Sequence, residues 1–185
     1  MPIISPSERI EGVVLVEPDV HADDRGRFVE TYRRQWFADQ PEMIQANRSE
    51  KTAGSLAGLH YHRFQTDYFY VLRGQARFGL CDLRVGSPTE GATLVFDLTG
   101  ERDGGLLVPP GVAHGFLAVT DVLVTYLVNR YYDPNDELGV AWDDPDIGLD
   151  WGIADPVLSA RDRANPRRSA IPAELLPGPP GAPVR

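Results

Sequence analysis

Residues 67–83 read Asp67-Tyr68-Phe69-Tyr70-Val71-Leu72-Arg73-Gly74-Gln75-Ala76-Arg77-Phe78-Gly79-Leu80-Cys81-Asp82-Leu83. Two runs rich in Phe, Tyr, Val and Leu meet at Arg73-Gly74, a pair that reads as a turn between strands. The pattern continues on both sides, through Leu56–His62 upstream and Thr93–Leu98, Leu106–Val108, His114–Val119 and Val122–Val128 downstream. Gly, Pro and Asp punctuate these runs, as at Pro109-Pro110-Gly111. Short strands at this spacing predict an all-β domain, a sandwich closed into a barrel of jelly-roll type. Toward the N-terminus, Val13–Val16 and Phe28–Tyr32 are shorter apolar runs, separated by the turn-like Asp23-Asp24-Arg25-Gly26. Helical periodicity is weak and confined to Arg33–Gln40 and Leu158–Ala164. The chain is therefore expected to form one domain over residues 1–165, N-terminal strands included, followed by a Pro/Gly-rich tail over 166–185. Within that tail, Pro177-Gly178-Pro179-Pro180-Gly181-Ala182-Pro183 is expected to be disordered or extended.

Composition narrows the function. The chain has 185 residues, 42% hydrophobic and 24% charged, enough for one real core. No run approaches the roughly 18 apolar residues of a membrane helix, and Met1–Glu11, with Glu8 and Arg9, does not read as a signal peptide. A single cysteine, Cys81, leaves no intrachain disulfide framework, so the expected compartment is the cytoplasm. A net charge of −9 argues against nucleic acid or an anionic membrane as partner, though not against a small anionic ligand. Among the 18 basic residues only Lys51 is a lysine, so lysine-dependent chemistry would have to use it.

His60 and His62 lie two apart on an expected strand, which turns both side chains to one face. Alternation with Leu59 and Tyr61 does not decide whether that face is interior or solvent. The spacing Gly54-x5-His60-x-His62-x4-Asp67-x6-Gly74 resembles the first metal-binding motif of the cupin superfamily, with Asp in place of the usual Glu. Pro109-x-Gly111-x2-His114 resembles most of the second motif, with Ala118 where that motif has Asn. Three imidazoles and a carboxylate, His60, His62, His114 and Asp67, suit a divalent transition metal such as Fe, Mn, Ni or Zn. The plainer alternative is a set of polar groups lining a cavity and bonded to one another or to water.

A second resemblance is longer. Asp24-Arg25-Gly26-Arg27-Phe28-Val29-Glu30, Gln45-Ala46-Asn47-Arg48-Ser49, Gly58-Leu59-His60-Tyr61, Asp82-Leu83-Arg84 and Ser87-Pro88-Thr89 resemble blocks of the dTDP-4-dehydrorhamnose 3,5-epimerase family. Val108-Pro109-Pro110-Gly111-Val112-Ala113-His114-Gly115-Phe116, Tyr126-x5-Tyr132, Glu137-x-Gly139, Trp142-Asp143-Asp144-Pro145 and Leu158-Ser159-Ala160-Arg161-Asp162 follow in the same order. The resemblance spans about residues 10–165. It implies a homodimeric cupin acting on a 4-keto-6-deoxy sugar carried by a nucleoside diphosphate, without a cofactor. It further implies His60 as the base, Asp162 as its orienting partner and Tyr126 as the acid. Arg25, Phe28, Glu30, Gln45, Asn47 and Tyr132 would line the nucleotide-sugar site, with the N-terminal strands crossing to the neighbouring subunit.

Three positions depart from the family pattern. Ala57 stands where the family has the Arg of Leu-Arg-Gly-Leu-His, His62 where it has Gln, and Asp67 where it has the lysine that steadies the enolate oxygen. Arginine bias would have left a cation at position 67; aspartate inverts the charge. Losing one donor to a developing oxyanion costs about 10²–10³ in rate. Three replacements are open: a metal on His60, His62, Asp67 and His114, a protonated Asp67, or an Asp67–His62 pair accompanying altered chemistry. Arg48 and Arg63 are candidates to offset the arginine missing at position 57. The function thus reads as a 3,5-epimerase-type isomerase using His60. The alternatives are a metal-dependent cupin enzyme with the four ligands above, and a non-catalytic nucleotide-sugar-binding homologue.

Overall fold

The computed structural model describes residues 1–181. Among these residues there are thirteen strands: β1 (Ile3–Pro6), β2 (Val14–Glu17), β3 (Val20–Asp23), β4 (Gly26–Val29), β5 (Gln45–Lys51), β6 (Leu56–Tyr61), β7 (Asp67–Arg73), β8 (Gln75–Asp82), β9 (Thr93–Thr99), β10 (Gly105–Val108), β11 (Val112–Ala118), β12 (Val122–Val128) and β13 (Leu138–Gly139). A six-stranded sheet, ordered β1-β2-β10-β7-β12-β5, faces a five-stranded one ordered β13-β6-β11-β8-β9. Every strand pairing in them is antiparallel. The expected jelly-roll sandwich is what forms.

Strands β6 to β12 fall where the apolar runs lie, because the sandwich is covered on three levels. Between the sheets, Phe69, Val71, Phe78, Leu80, Leu106, Val112 and Phe116 pack with Ile10 and Val13. Outside the five-stranded sheet, Leu56, Leu59, Tyr61, Leu83 and Leu117 meet Val140, Ile147, Trp151 and Ile171. Outside the six-stranded sheet, Val16, Tyr68 and Leu107 meet Phe37, with Tyr32 and Trp36 beside them. Burial on both faces explains why β7 and β11 read as continuous hydrophobic runs instead of alternating ones. At the Arg73-Gly74 turn, Gly74 has φ +78°, and a Cβ there would lie 2.1 Å from the Asp121 carbonyl oxygen. Only glycine fits.

Helix content is as small as expected. Arg34–Phe37 forms a single 3₁₀ turn, and α1 (Ala160–Ala164) is capped by Ser159, whose hydroxyl accepts the Asp162 N–H. Two expectations need correction. Strand β5 was not anticipated, because Gln-Ala-Asn-Arg-Ser-Glu-Lys contains no apolar run; its side chains are alternately half-buried and exposed. The segment from residue 166 is also not a free tail along its described length. Residues Arg168–Ala170 and Ala173–Leu175 form 3₁₀ turns, Ile171 is buried against the five-stranded sheet, and the Leu175 carbonyl accepts the Tyr61 hydroxyl. The sheet's outer apolar face needs this cover. Residues 177–181 form neither strand nor helix, as expected, and 182–185 lie outside the described residues.

Candidate active site

The two sheets leave a cavity of about 400 Å³ between β5, β7 and β12 on one side and β6 and β11 on the other. Strand register sets its walls. Tyr126 on β12 lies between Asn47 of β5 and Phe69 of β7, and Val128 lies between Gln45 and Asp67. On the opposing sheet His60 pairs with His114, and Ala57 with Phe116. All of these line the cavity.

A bulge re-aims β6. The four residues from Ala57 to His60 oppose only three, from Phe116 to His114. Simple alternation from Ala57 would put Leu59, not His60, on the inner face. The extra residue at Gly58 sends Leu59 and Tyr61 to the outer core and His60 to the cavity, and His62 joins it there. Gly58 has φ +119°, and a Cβ would meet Gly115 Cα at 2.7 Å and the His114 carbonyl oxygen at 2.8 Å. No side chain is accommodated.

His60 Nε2 lies 2.6 Å from Asp162 Oδ1. The Ser159 hydroxyl donates to the other carboxylate oxygen at 2.8 Å, and Ser159 Oγ in turn accepts the Asp162 N–H at 3.0 Å. Burial works to raise the Asp162 pKa, but the hydrogen bond and charge of His60, the Ser159 bond and the Arg161 charge together hold it below the usual carboxylate range. An ionised Asp162 accepts the Nε2 hydrogen, which leaves Nδ1 with the lone pair. Tyr126, stacked on Phe69 with ring centroids 5.4 Å apart, has its pKa raised by burial and then by the charges of Asp67 and Glu137. It is a hydroxyl donor at neutral pH.

Asp67 is 2% exposed. Gln65 Nε2 donates to its Oδ1 at 3.1 Å, and among the described residues its Oδ2 has no hydrogen-bond partner. Burial pushes its pKa up to about 6, against the lowering charge of His62 and bond from Gln65. Burial pushes His114 down to about 4, so its ring is neutral at pH 7. The separations of 3.8 Å from Asp67 Oδ2 to His62 Nε2 and 3.9 Å to His114 Nε2 exceed hydrogen-bond reach, so the Asp67–His62 pair, one of the three replacements, is in contact without a hydrogen bond.

The four-ligand metal set also needs correction. His62, Asp67 and His114 bring one ligand atom each to within 4.8 Å of one another, but His60 is not of that group. Its Nε2 is held by Asp162.

Gln45, Asn47 and Tyr132 line the cavity, whereas Arg25, Phe28 and Glu30 do not in this chain. They lie in and just after the β3–β4 hairpin, where Arg25 pairs with Asp23, Glu30 pairs with Arg33, and Phe28 is 66% exposed. Neither arginine nominated to replace the one absent at position 57 faces the cavity. Arg48 pairs with Glu50 on the opposite side of β5, and Arg63 lies beside Asp136.

Two charged cavity residues were not anticipated as part of the site. Lys51 ends the inward series Gln45, Asn47, Ser49, Lys51, and the short turn at 52–55 leads straight to Ala57, so both sit at one end of the cavity. Glu137 accepts from Arg161 at 2.8 Å. Burial would raise its pKa, but that bond and the charges of His62, Arg161 and His60 hold it low. The singular lysine and the Glu137-x-Gly139 block were the available signals.

The family model described as dTDP-4-dehydrorhamnose 3,5-epimerase matches residues 7–169. A protein of that name from Methanothermobacter thermautotrophicus is 36% identical over 163 residues, covering 83% of this chain and 88% of the relative. A dTDP-4-dehydrorhamnose 3-epimerase from Streptomyces niveus is also 36% identical, over 83% of this chain and 78% of the relative. The crystal structure of a dTDP-6-deoxy-D-glucose-3,5-epimerase from Legionella pneumophila, in complex with dTDP-4-keto-L-rhamnose, superposes with a TM-score of 0.90 at 31% identity, covering 96% of this chain and 98% of that one. A resemblance first carried by ten short blocks thus extends over nearly the whole fold, and the chain belongs to the dTDP-4-dehydrorhamnose 3,5-epimerase family.

Proposed function

We propose that this protein epimerises a dTDP-linked 4-keto-6-deoxy sugar. The observation that carries the reading is the 2.6 Å His60–Asp162 bond at the wall of a cavity shared with Tyr126. The 4-ketone acidifies the hydrogens on its neighbouring carbons. His60 Nδ1 removes one as a proton, and the C–H electron pair moves into the ring carbon–carbon bond while the carbonyl oxygen takes the enolate charge. Asp162 holds the tautomer and offsets the imidazolium that forms. Tyr126 returns a proton from the opposite face, inverting the centre. Carbon loses and regains a proton with no net oxidation, so no redox cofactor is required.

Gln45, Asn47 and Tyr132 contact the nucleotide sugar, and Lys51 supplies positive charge for its diphosphate beside the position of the absent arginine. The exposed β3–β4 hairpin carries Arg25, Phe28 and Glu30 to the cavity of a second copy in a homodimer. The partners are thus the nucleotide sugar and a second copy of the chain, and the setting is cytoplasmic. Among the described residues no helix is long and apolar enough to cross a membrane.

The test is incubation with dTDP-4-keto-6-deoxyglucose in deuterium oxide. Deuterium entering C3, or C3 and C5, is the expected result, and which carbon exchanges defines the reaction. A pure, folded sample that exchanges neither position would overturn the assignment.

A further inference from the structure

We propose that His62, Asp67 and His114 form a binding site for one divalent transition-metal ion, separate from the His60–Asp162 pair.

The hydrogen-bond directions carry the argument. His62 Nδ1 lies 2.9 Å from the Asp136 carbonyl oxygen, and His114 Nδ1 lies 3.0 Å from that of Val112. A carbonyl only accepts, so each Nδ1 carries a ring hydrogen, and the neutral tautomer with that hydrogen keeps its lone pair on Nε2. Both Nε2 atoms lie within 4 Å of Asp67 Oδ2, a buried oxygen with no hydrogen-bond partner among the described residues. Three acceptors thus converge with no donor among them. Such a cluster is unfavourable unless a proton, a water or a cation sits within it, and of these a cation engages all three atoms at once.

The dimensions suit an ion. Two ligand atoms held at 2.0–2.1 Å and a tetrahedral angle are separated by about 3.3 Å. The two Nε2–Oδ2 edges of 3.8 and 3.9 Å need close by only about half an ångström, within reach of small side-chain rotations. Backbone carbonyls on both Nδ1 atoms and Gln65 on Oδ1 provide the outer hydrogen bonds that orient metal ligands. Two histidines and one carboxylate leave coordination positions open toward the cavity, as a reactive rather than a purely structural site requires.

The arrangement also separates two roles that a four-ligand site would confuse. His60 spends Nε2 on Asp162 and keeps Nδ1 for the proton. The ion's role, though not its binding, rests on the epimerase reading: it restores positive charge at the position where the resemblance places a lysine, next to the enolate oxygen.

Chelator-treated, untagged protein titrated with Zn²⁺, and separately with Mn²⁺ and Co²⁺, by calorimetry and elemental analysis should bind close to one ion per chain. Asp67→Ala and His62→Gln should each weaken binding at least about 100-fold, the upper end of the loss expected for an outer-shell partner. His60→Asn should leave it within about threefold. Circular dichroism checks that each variant is folded. Absence of stoichiometric binding for all three ions, or binding indifferent to both ligand variants, overturns the site. Loss of binding in folded His60→Asn overturns the three-ligand assignment. Solvent exchange measured on the same samples keeps the questions apart. Exchange unaffected by loading removes the ion's role and leaves the site, whereas no exchange in either state counts against the epimerase reading alone.

Discussion

Replacing Asp162 by Asn tests the proton-transfer assignment most directly. Asp162 is 5% exposed, and its two oxygens are committed to His60 and to Ser159. An amide has two ways to sit there. With its oxygen toward His60 the tautomer survives, but the bond loses its ionic acceptor. Hydrogen bonds to charged groups contribute about 1.5–3 kcal/mol against about 0.5–1.5 for neutral ones, so roughly tenfold in rate is forfeited. With its NH₂ toward His60, Nε2 must accept, the hydrogen moves to Nδ1, and the base faces the cavity already protonated. The corresponding change in a serine-protease triad costs about 10⁴. Deuterium exchange at saturating substrate should therefore fall by about 10- to 10⁴-fold. Asp162 does not line the cavity, so KM should stay within about threefold. A folded Asp162→Asn protein that exchanges within threefold of the parent rate would refute the dyad.

Gly58→Ala should cost about 2–6 kcal/mol in urea unfolding, summing backbone strain at φ +119° and overpacking against Gly115 and His114, and should abolish exchange by turning His60 away. Unchanged stability would discount the bulge. Lys51→Ala should raise KM about tenfold or more, the scale of one charge-assisted phosphate contact, with Lys51→Arg recovering most of it; an unchanged KM would remove Lys51 from the diphosphate site. Asp82, buried with Arg84, has its pKa pushed up by burial and down by a larger sum of bonds from Arg84, Thr89 and Ser87. Its depressed pKa contributes stability above the unfolded carboxylate value that is lost as pH falls through that value and below. Asp82→Ala should cost about 3–5 kcal/mol near pH 7 by stranding the Arg84 guanidinium, and should flatten the acid limb of the stability–pH curve. Cys81, its pKa pushed up by burial to about 12, should react with a thiol reagent only on unfolding, as mass spectrometry of the native and denatured protein would show.

What could be read without coordinates follows the physics of each segment. The strands from residue 56 to 128 were legible because most are covered on both faces and so need apolar residues in near-continuous runs, while the partly exposed β9 still carries Leu94, Val95, Phe96 and Leu98. Strand β5 was not, since one face lines a polar cavity and the other meets solvent, and neither demands hydrophobicity. Ile171 and Leu175, set among Pro, Ala and Arg, gave no periodic signal, yet they cover sheet surface that would otherwise lie open. At the site, spacing alone brought His60, His62, Asp67 and His114 together. It could not show which ring nitrogen each histidine spends on a partner, and that divides base from ligands.

Charge at the two ends of the cavity connects the departures from the family pattern. A nucleoside diphosphate brings negative charge into the pocket, and an enolate adds more at the reacting carbon. By resemblance this chain lacks the arginine at position 57 and the lysine at position 67, and at 67 it gains a carboxylate. Without compensation, an anionic substrate would meet Asp67 and Glu137 with few cations to oppose them. Lys51 returns one positive charge at the Ala57 end, on the neighbouring strand and inward-facing. A divalent ion on His62, Asp67 and His114 returns the other, because two neutral imidazoles and one carboxylate leave it a net charge of about +1. The substitutions at 62 and 67 then belong together: either alone gives an incomplete ligand set or an unopposed anion. Reverting Asp67 to Lys with His62 retained should therefore fail to restore a family-type site, whereas His62→Gln combined with Asp67→Lys should yield metal-independent exchange. If the single and double reversions exchange at the same rate, the two positions are not coupled and the charge argument fails.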